Sequence, residues 1–129
     1  DKMKELCRSK GIELILVKAP TNSWNYYWYD EYEAQVEEYA DRNGLRYYNL
    51  IESEAEIGID WNVDTYDEGF HLNVYGAEKT TEYFGKILLE EHQIPSQRDN
   101  EQLSTEWDLR VQAYKSRKEI MEKTEADKK

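Results

Sequence analysis

Ile12-Glu13-Leu14-Ile15-Leu16-Val17 is a short, nearly continuous apolar stretch that directly follows Gly11. This composition is typical of a strand in a parallel sheet whose two faces are covered by helices. A second stretch downstream, Leu45-Arg46-Tyr47-Tyr48-Asn49-Leu50, also has the composition of a strand. The two stretches therefore predict two strands of one parallel sheet.

The residues between these strands have the pattern of a helix. Asp30 and Glu33 form an Asp-x-x-Glu sequence that resembles a capping box, and Asn43-Gly44 is a typical helix stop. Apolar side chains at helical spacing lie between them: Tyr32, Val36, Tyr39 and Ala40. Strand, helix and strand in this order predict a right-handed βαβ unit.

The rest of the chain divides into helices, a loop and a tail. We expect a first helix that ends at Gly11, an irregular loop over residues 51–70, and a helix from Val74 to Glu91 with Asn73 as its N-cap. Beyond Ser96 a sparse apolar stripe runs along a charged segment. We therefore predict an α/β domain over residues 1–95 and a charged amphipathic helical tail over residues 96–129.

Composition excludes several classes of function. The chain has 129 residues and a formal net charge of −11, which disfavours binding to a phosphate backbone. No apolar run approaches the roughly 18 residues of a membrane-spanning helix. The single cysteine, Cys7, excludes an internal disulfide and a cysteine-based zinc site, and we predict neither a metal nor a cofactor. Because the chain opens at Asp1 without a leader, we expect it to be a piece of something longer.

The most informative motif surrounds His71, in Asp64-Thr65-Tyr66-Asp67-Glu68-Gly69-Phe70-His71-Leu72-Asn73-Val74-Tyr75-Gly76-Ala77-Glu78-Lys79. A carboxylate that accepts a hydrogen bond from one ring nitrogen fixes the tautomer and leaves the other nitrogen free to take a proton. Asp67 is close enough in sequence for a turn to place it on His71. The alternative from composition alone is a surface histidine near a helix N-terminus, among acids that are common throughout this chain.

This block resembles the C-terminal catalytic block of the SGNH/GDSL hydrolase superfamily, in which an Asp and a His complete a Ser-His-Asp triad. The resemblance implies the C-terminal portion of a three-layer, flavodoxin-like parallel sheet, followed here by an extra C-terminal helix. It also implies that His71 is the general base and Asp67 its partner. Because the usual spacing in the family falls on Glu68, both Glu68 and Asp64 stay open as alternatives for the acid.

The same resemblance implies a nucleophile that this sequence lacks. In the family, the serine lies in a Gly-Asp-Ser-like segment after the first strand, and no such segment is present. We therefore expect an upstream half of the same domain to supply it, and we predict that this chain is inactive alone.

The implied substrate is an ester, with O-acetyl groups of a carbohydrate as the expected class. Trp24 and Trp28 lie in the aromatic segment after the first strand and are the candidate substrate contacts. The alternative for this segment is that its rings pack over the core and a sheet edge. The alternative is a non-catalytic α/β module that binds a glycan or another protein. We further expect a homodimer that covers an exposed strand edge, and an extracytoplasmic or secreted location, since relatives of this type are often exported.

Overall fold

The computed structural model describes residues 2–22 and 27–126. Its elements in chain order are α1 (Lys2–Ser9), β1 (Ile15–Lys18), α2 (Tyr29–Asn43), β2 (Arg46–Asn49), α3 (Glu54–Ile57), α4 (Val74–Glu91) and α5 (Glu101–Ala126). The chain separates into two compact units, Asp1–Ile87 and Leu88–Lys129, with the division inside α4. None of the helices in the described ranges is both long and apolar enough to cross a membrane.

The first unit contains the predicted strand–helix–strand unit. β1 and β2 pair in parallel, in a register that runs from Ile15 opposite Arg46 to Lys18 opposite Asn49. α2 connects them and packs against β2. Gly44 ends α2 in the left-handed region, at φ 62°, and its N–H returns to carbonyls of the last turn. The βαβ topology and the Asn43-Gly44 stop are confirmed.

The predicted fold class is wrong. The chain is 58% helix and 8% strand, and its sheet has two strands, so it is not a three-layer flavodoxin-like sheet. Each strand is four residues long, and Val17 on β1 is 44% exposed, so β1 is not buried on both faces as its composition predicts. After β2 the described chain continues into α3 and an irregular loop whose Thr65–Leu72 bridge is isolated. The two apolar stretches form two short strands, and residues 2–22 and 27–126 contain no further sheet.

The predicted capping box of α2 is also wrong. Trp28 occupies the N-cap position and makes no side-chain cap hydrogen bond. Glu33 is instead buried. Its carboxylate pairs with Lys18 and accepts hydrogen bonds from Tyr47 Oη and Asn49 Nδ2, both at 2.7 Å. Burial raises the pKa of the Tyr47 hydroxyl, and its hydrogen bond to Glu33 raises it further. The Glu33 side chain therefore joins α2 to both strands.

The apolar core of the first unit is small. The buried apolar residues in the described part of this unit include Ala40 on α2, Leu50 and Ile51 directly after β2, and Ile57 at the end of α3. α4 covers this region with Phe84, whose ring meets that of Tyr48 edge to face at a centroid distance of 5.5 Å. Because the core is small, the buried polar contacts carry a large share of the packing between elements.

The bounds of α4 and its N-cap are as the sequence predicts. Oδ1 of Asn73 accepts hydrogen bonds from the backbone N–H groups of Tyr75, at 2.9 Å, and Gly76, at 3.2 Å. The second unit contains the end of α4 and the long helix α5. Several apolar side chains of α5 are exposed, among them Leu103, Trp107, Leu109, Val111, Tyr114 and Ile120.

Candidate active site

The loop between α3 and α4 folds into a tight turn, residues 65–71, which we call the dyad turn. An isolated antiparallel bridge between Thr65 and Leu72 closes it. At its tip Glu68 and Gly69 have positive φ values of 60° and 100°. A Cβ on Gly69 would lie 2.5 Å from Cβ of Asn22, so glycine is required there both for backbone conformation and for space.

The hydroxyl of Thr65 organises the interior of the dyad turn. Its Oγ1 donates to the carbonyl of His71 at 2.9 Å and accepts from the backbone N–H of Gly69, also at 2.9 Å. These bonds satisfy backbone groups that would otherwise be unpaired inside the turn. Thr65 therefore fixes the distance between the two ends of the turn.

Asp67 and His71 meet within this turn. Oδ2 of Asp67 lies 2.5 Å from Nδ1 of His71, and Oδ1 accepts the backbone N–H of His71 at 2.7 Å. The carboxylate thus holds the histidine through both its ring and its main chain. The His71 side chain is 69% exposed and that of Asp67 is 31% exposed.

Electrostatics assign one tautomer to this pair. Burial raises the pKa of the Asp67 carboxyl, but the hydrogen bonds from the ring and the backbone N–H of His71 outweigh it and hold that pKa below its ordinary value. Asp67 is therefore an ionised acceptor at neutral pH, and the neutral ring carries its proton on Nδ1. Within residues 2–22 and 27–126, no group hydrogen-bonds Nε2. Nε2 is the nitrogen that can accept a proton.

Tyr66 packs on the imidazole. Its ring lies parallel to that of His71, at 6° between planes and 6.1 Å between centroids. Tyr66 is itself exposed. The Tyr66 ring therefore lies alongside one face of the imidazole.

The dyad turn is fixed to α4 at its base. The side-chain amide of Asn73 donates to the carbonyls of Val63 and Thr65, at 2.6 and 3.2 Å, while its oxygen caps α4. A Cβ on Gly76 would lie 2.6 Å from the backbone oxygen of Asp64, so the absence of a side chain permits this close approach. Gly76 therefore lets α4 pack directly against the backbone of the loop.

An ion pair joins the buried Asp64 carboxylate to Lys79, whose side chain is 41% exposed. Asp64 is 1% exposed, and its Oδ2 accepts from Lys79 Nζ at 2.6 Å and from the backbone N–H of Asp60 at 2.8 Å. Lys79 also donates to the carbonyl of Gly58, at 2.9 Å. We call Asp64 and Lys79 the buried anchor, because they join α4 to the loop that carries the dyad turn.

A second attachment comes from the segment that follows β1. The N–H of Asn22 donates to the carbonyl of Gly69 at 2.8 Å, and Oγ1 of Thr21 donates to the same carbonyl at 3.0 Å. Since these residues follow the carboxyl end of β1, the dyad turn is held at that end of the sheet. This is the end at which α/β proteins commonly place their chemistry.

The alternatives for the acid occupy different places. The Asp64 carboxylate is bound by Lys79 and Asp60 in the buried anchor. Glu68 lies at the tip of the dyad turn in the left-handed region. The carboxylate that is hydrogen-bonded to the His71 ring is that of Asp67. The geometry therefore pairs His71 with Asp67, while a catalytic role for either residue stays a prediction.

The two predicted substrate contacts are only partly visible. Trp24 lies outside the described residues. Trp28 directly precedes α2, is 64% exposed, and meets the ring of Tyr27 edge to face at 5.1 Å. Trp28 is thus accessible to a ligand, and its role in substrate binding stays a prediction.

A nucleophile is not placed on the histidine. In the described part of the chain no serine hydroxyl hydrogen-bonds His71; Ser9, for example, donates to the carbonyl of Leu6. Ser23 lies outside the described residues. The same ranges contain no cluster of three His, Cys, Asp or Glu side chains that could hold a metal ion. The site can therefore take up a proton, but its described residues provide no covalent step.

Sequence reasoning missed two residues that shape this site, Thr65 and Lys79. Thr65 lies two positions before Asp67, where a hydroxyl commonly closes an Asx- or ST-type turn, so a local signal existed. Lys79 lies fifteen residues after its partner Asp64, and nothing in the sequence indicates that contact. No family model, curated protein or solved structure matches this chain.

Proposed function

We propose that Asp67 and His71 are the acid and the general base of a serine esterase or O-acyltransferase of the SGNH/GDSL type. The observation that carries this proposal is the orientation of the imidazole, with Nδ1 on Asp67 at 2.5 Å and Nε2 without a partner among the described residues. The Asp-His part of a Ser-His-Asp triad has this arrangement: the carboxylate selects the tautomer through Nδ1, and Nε2 takes the proton of the serine. The sequence likeness around His71 supports the same assignment.

The proposal includes an incomplete site. A serine hydroxyl must lie within hydrogen-bond reach of Nε2 to be activated, and we propose that an upstream half of the same domain provides it. The 69% exposure of the His71 side chain supports this view, because a working base is normally shielded from bulk water by the groups around it. The chain alone is then inactive.

The proposed substrate is an ester, in particular an O-acetyl group of a carbohydrate. Sugar rings present flat apolar faces that stack on exposed aromatic rings. Trp28 and Tyr27 are both exposed and support such a contact. They follow the same strand end to which the dyad turn is attached.

The test uses a longer protein that contains both this chain and its proposed upstream half. It compares alanine variants of the two histidines of this sequence, His71 and His92. His71→Ala should lower the turnover number on p-nitrophenyl acetate by roughly 10³-fold or more. His92→Ala removes the other histidine, at the end of α4, and should leave turnover unchanged. Equal activity in both variants would contradict the proposal. The present chain alone should hydrolyse no ester above the rate of its own His71→Ala variant.

A second candidate is a non-catalytic module that binds a glycan or a protein through its exposed aromatic residues. The absence of a serine at His71 within the described residues favours this candidate. Binding of an acetylated oligosaccharide that is lost in Trp28→Ala but unchanged in His71→Ala, with no esterase activity in the longer product, would select it.

A further inference from the structure

A cavity of about 500 Å³ lies at the amino ends of the two strands, away from the dyad turn. Ile12 and Leu14 precede β1, and Leu45 precedes β2. Because β1 and β2 are parallel, these residues lie together at the amino ends of the strands. The dyad turn is attached at the opposite end, after Lys18. The cavity is therefore separate from the proposed active site, and a ligand held there would not contact the dyad turn.

The walls of this cavity are positively charged. Lys4 and Arg8 on α1 and Arg42 on α2 line it, and no carboxylate of the described residues does. The sequence as a whole has 28 acidic residues against 17 basic ones. The cavity is thus lined by three cationic side chains and no acidic one, although acidic residues outnumber basic ones in the sequence.

These three charges are poorly compensated. Lys4 Nζ donates to the neutral side-chain oxygen of Asn43. Arg42 forms an ion pair with Glu38 at 3.7 Å, and this pair is exposed on the surface of α2 and is therefore weak. The guanidinium of Arg8 makes no hydrogen bond or ion pair with any group of residues 2–22 and 27–126. A bound anion would relieve the repulsion among them.

The remaining walls are mostly apolar. Cys7, Ile12, Leu14 and Leu45 line the cavity beside the three cations. Ile12 is more than half exposed, which leaves apolar surface available to a ligand. The volume falls within the range of small-molecule sites.

We propose that this cavity binds a small organic anion, with a carboxylate or phosphate head on Lys4, Arg8 and Arg42 and a short apolar body on Ile12, Leu14 and Leu45. Arg8 and Arg42 also lie in the last turns of their helices, where a cation interacts favourably with the negative end of the helix dipole. That effect accounts for two of the cations, but it does not account for Lys4 or for the apolar walls beside them.

Cys7 provides a reporter inside the cavity, because it is the single cysteine of the sequence and one of the lining residues. The experiment compares alkylation of Cys7 by iodoacetate, an anion, with alkylation by neutral iodoacetamide of similar size. Local concentration of anions should raise the iodoacetate-to-iodoacetamide rate ratio of the folded chain about tenfold above that of the urea-unfolded chain. Arg8→Gln and Arg42→Gln should each lower this ratio. Lys86→Gln removes one positive charge from a surface pair on α4 and is the matched control.

A second measurement tests the apolar half of the ligand. Hexanoate and hexyl phosphate, at equal ionic strength, should slow the reaction of Cys7 with iodoacetamide, and the more effective of the two identifies the preferred head group. Hexanol and inorganic phosphate should protect much less, since each lacks one half of the recognised chemistry.

Three results would overturn the proposal: a rate ratio equal to that of the unfolded chain, equal ratios in Arg8→Gln and Lys86→Gln, or equal protection by inorganic phosphate and the hexyl compounds. Circular dichroism of each variant verifies that it is folded. If a single-arginine variant unfolds, the comparison of wild-type protection by hexanoate with that by hexanol still decides the question.

Discussion

Asp64 and Asp67 lie in the same loop, three residues apart, and their carboxylates have opposite environments. Asp64 is 1% exposed and bound by Lys79 and the Asp60 backbone, whereas Asp67 is partly exposed and bound by His71. The buried anchor therefore positions the loop, and the dyad turn presents a titratable pair to solvent. A loop of this kind can hold chemistry on its surface because its base is fixed by a separate set of contacts.

Removal of Lys79 should have the largest effect on stability. Lys79→Met leaves the buried Asp64 carboxylate without its counter-ion, and Oδ1 of Asp64 has no hydrogen-bond partner among the described groups. We expect the free energy of unfolding in urea to fall by about 3 kcal/mol. Lys86→Met removes the same side chain from an exposed pair with Glu82 on the same helix and should cost less than about 0.5 kcal/mol. Equal losses would show that the anchor is no stronger than a surface pair.

Two glycines of α4 offer the next comparison. A Cβ on Gly76 would meet the Asp64 backbone oxygen at 2.6 Å, so Gly76→Ala should force α4 away from the loop and cost about 1–3 kcal/mol. A Cβ on Gly85 would meet no atom of another part of the described chain within 4 Å. Gly85→Ala should therefore stabilise the helix by about 0.5–1 kcal/mol. Thermal or urea unfolding of both variants measures this difference in sign, and a stabilising Gly76→Ala would contradict the close packing.

The sequence predicts the features of this region that depend on near neighbours. The bounds of α4, its Asn73 cap and the βαβ order follow from periodicity and stop signals within a few residues. The position of Asp67, four residues before His71, likewise allows the pairing to be anticipated from turn geometry.

Features that depend on distant parts of the chain are not predictable in this way. Glu33 has the spacing of a capping residue, but its buried contacts with Lys18, Tyr47 and Asn49 come from the packing of α2 on the two strands. The number of strands is also a non-local property. An apolar stretch indicates that a segment tends to form a strand, but it does not indicate which other strands are available to pair with it.

The dyad turn can be tested through the proton on His71. In the wild type, long-range proton–nitrogen NMR at alkaline pH, where an imidazole is neutral, should show the proton on Nδ1. Asp67→Asn removes the ionised acceptor, so the population with the proton on Nε2 should increase. Glu68→Gln makes the same change in charge at the neighbouring position and should leave the tautomer unchanged. A tautomer that responds to Glu68 instead would reassign the acid.

The smallest expected effect is on the acid limb of stability. The pKa of Asp67 is lower in the folded chain than its ordinary value of 3.8, because the hydrogen bonds from His71 outweigh the effect of burial. A carboxyl whose pKa is depressed by folding stabilises the fold above its unfolded pKa and loses that contribution as the pH falls through its folded value. The free energy of unfolding should therefore decline as the pH is lowered from about 5 to about 2, and less steeply in Asp67→Asn than in the wild type.

Asp60, whose pKa is lowered mainly by the backbone N–H of Asn62, contributes in the same direction in both proteins. The difference between the two slopes therefore reports the Asp67 carboxyl, whose pKa is lowered mainly by His71 and to a smaller extent by the hydroxyl of Thr65. Parallel slopes would mean that Asp67 and His71 do not hold each other in solution.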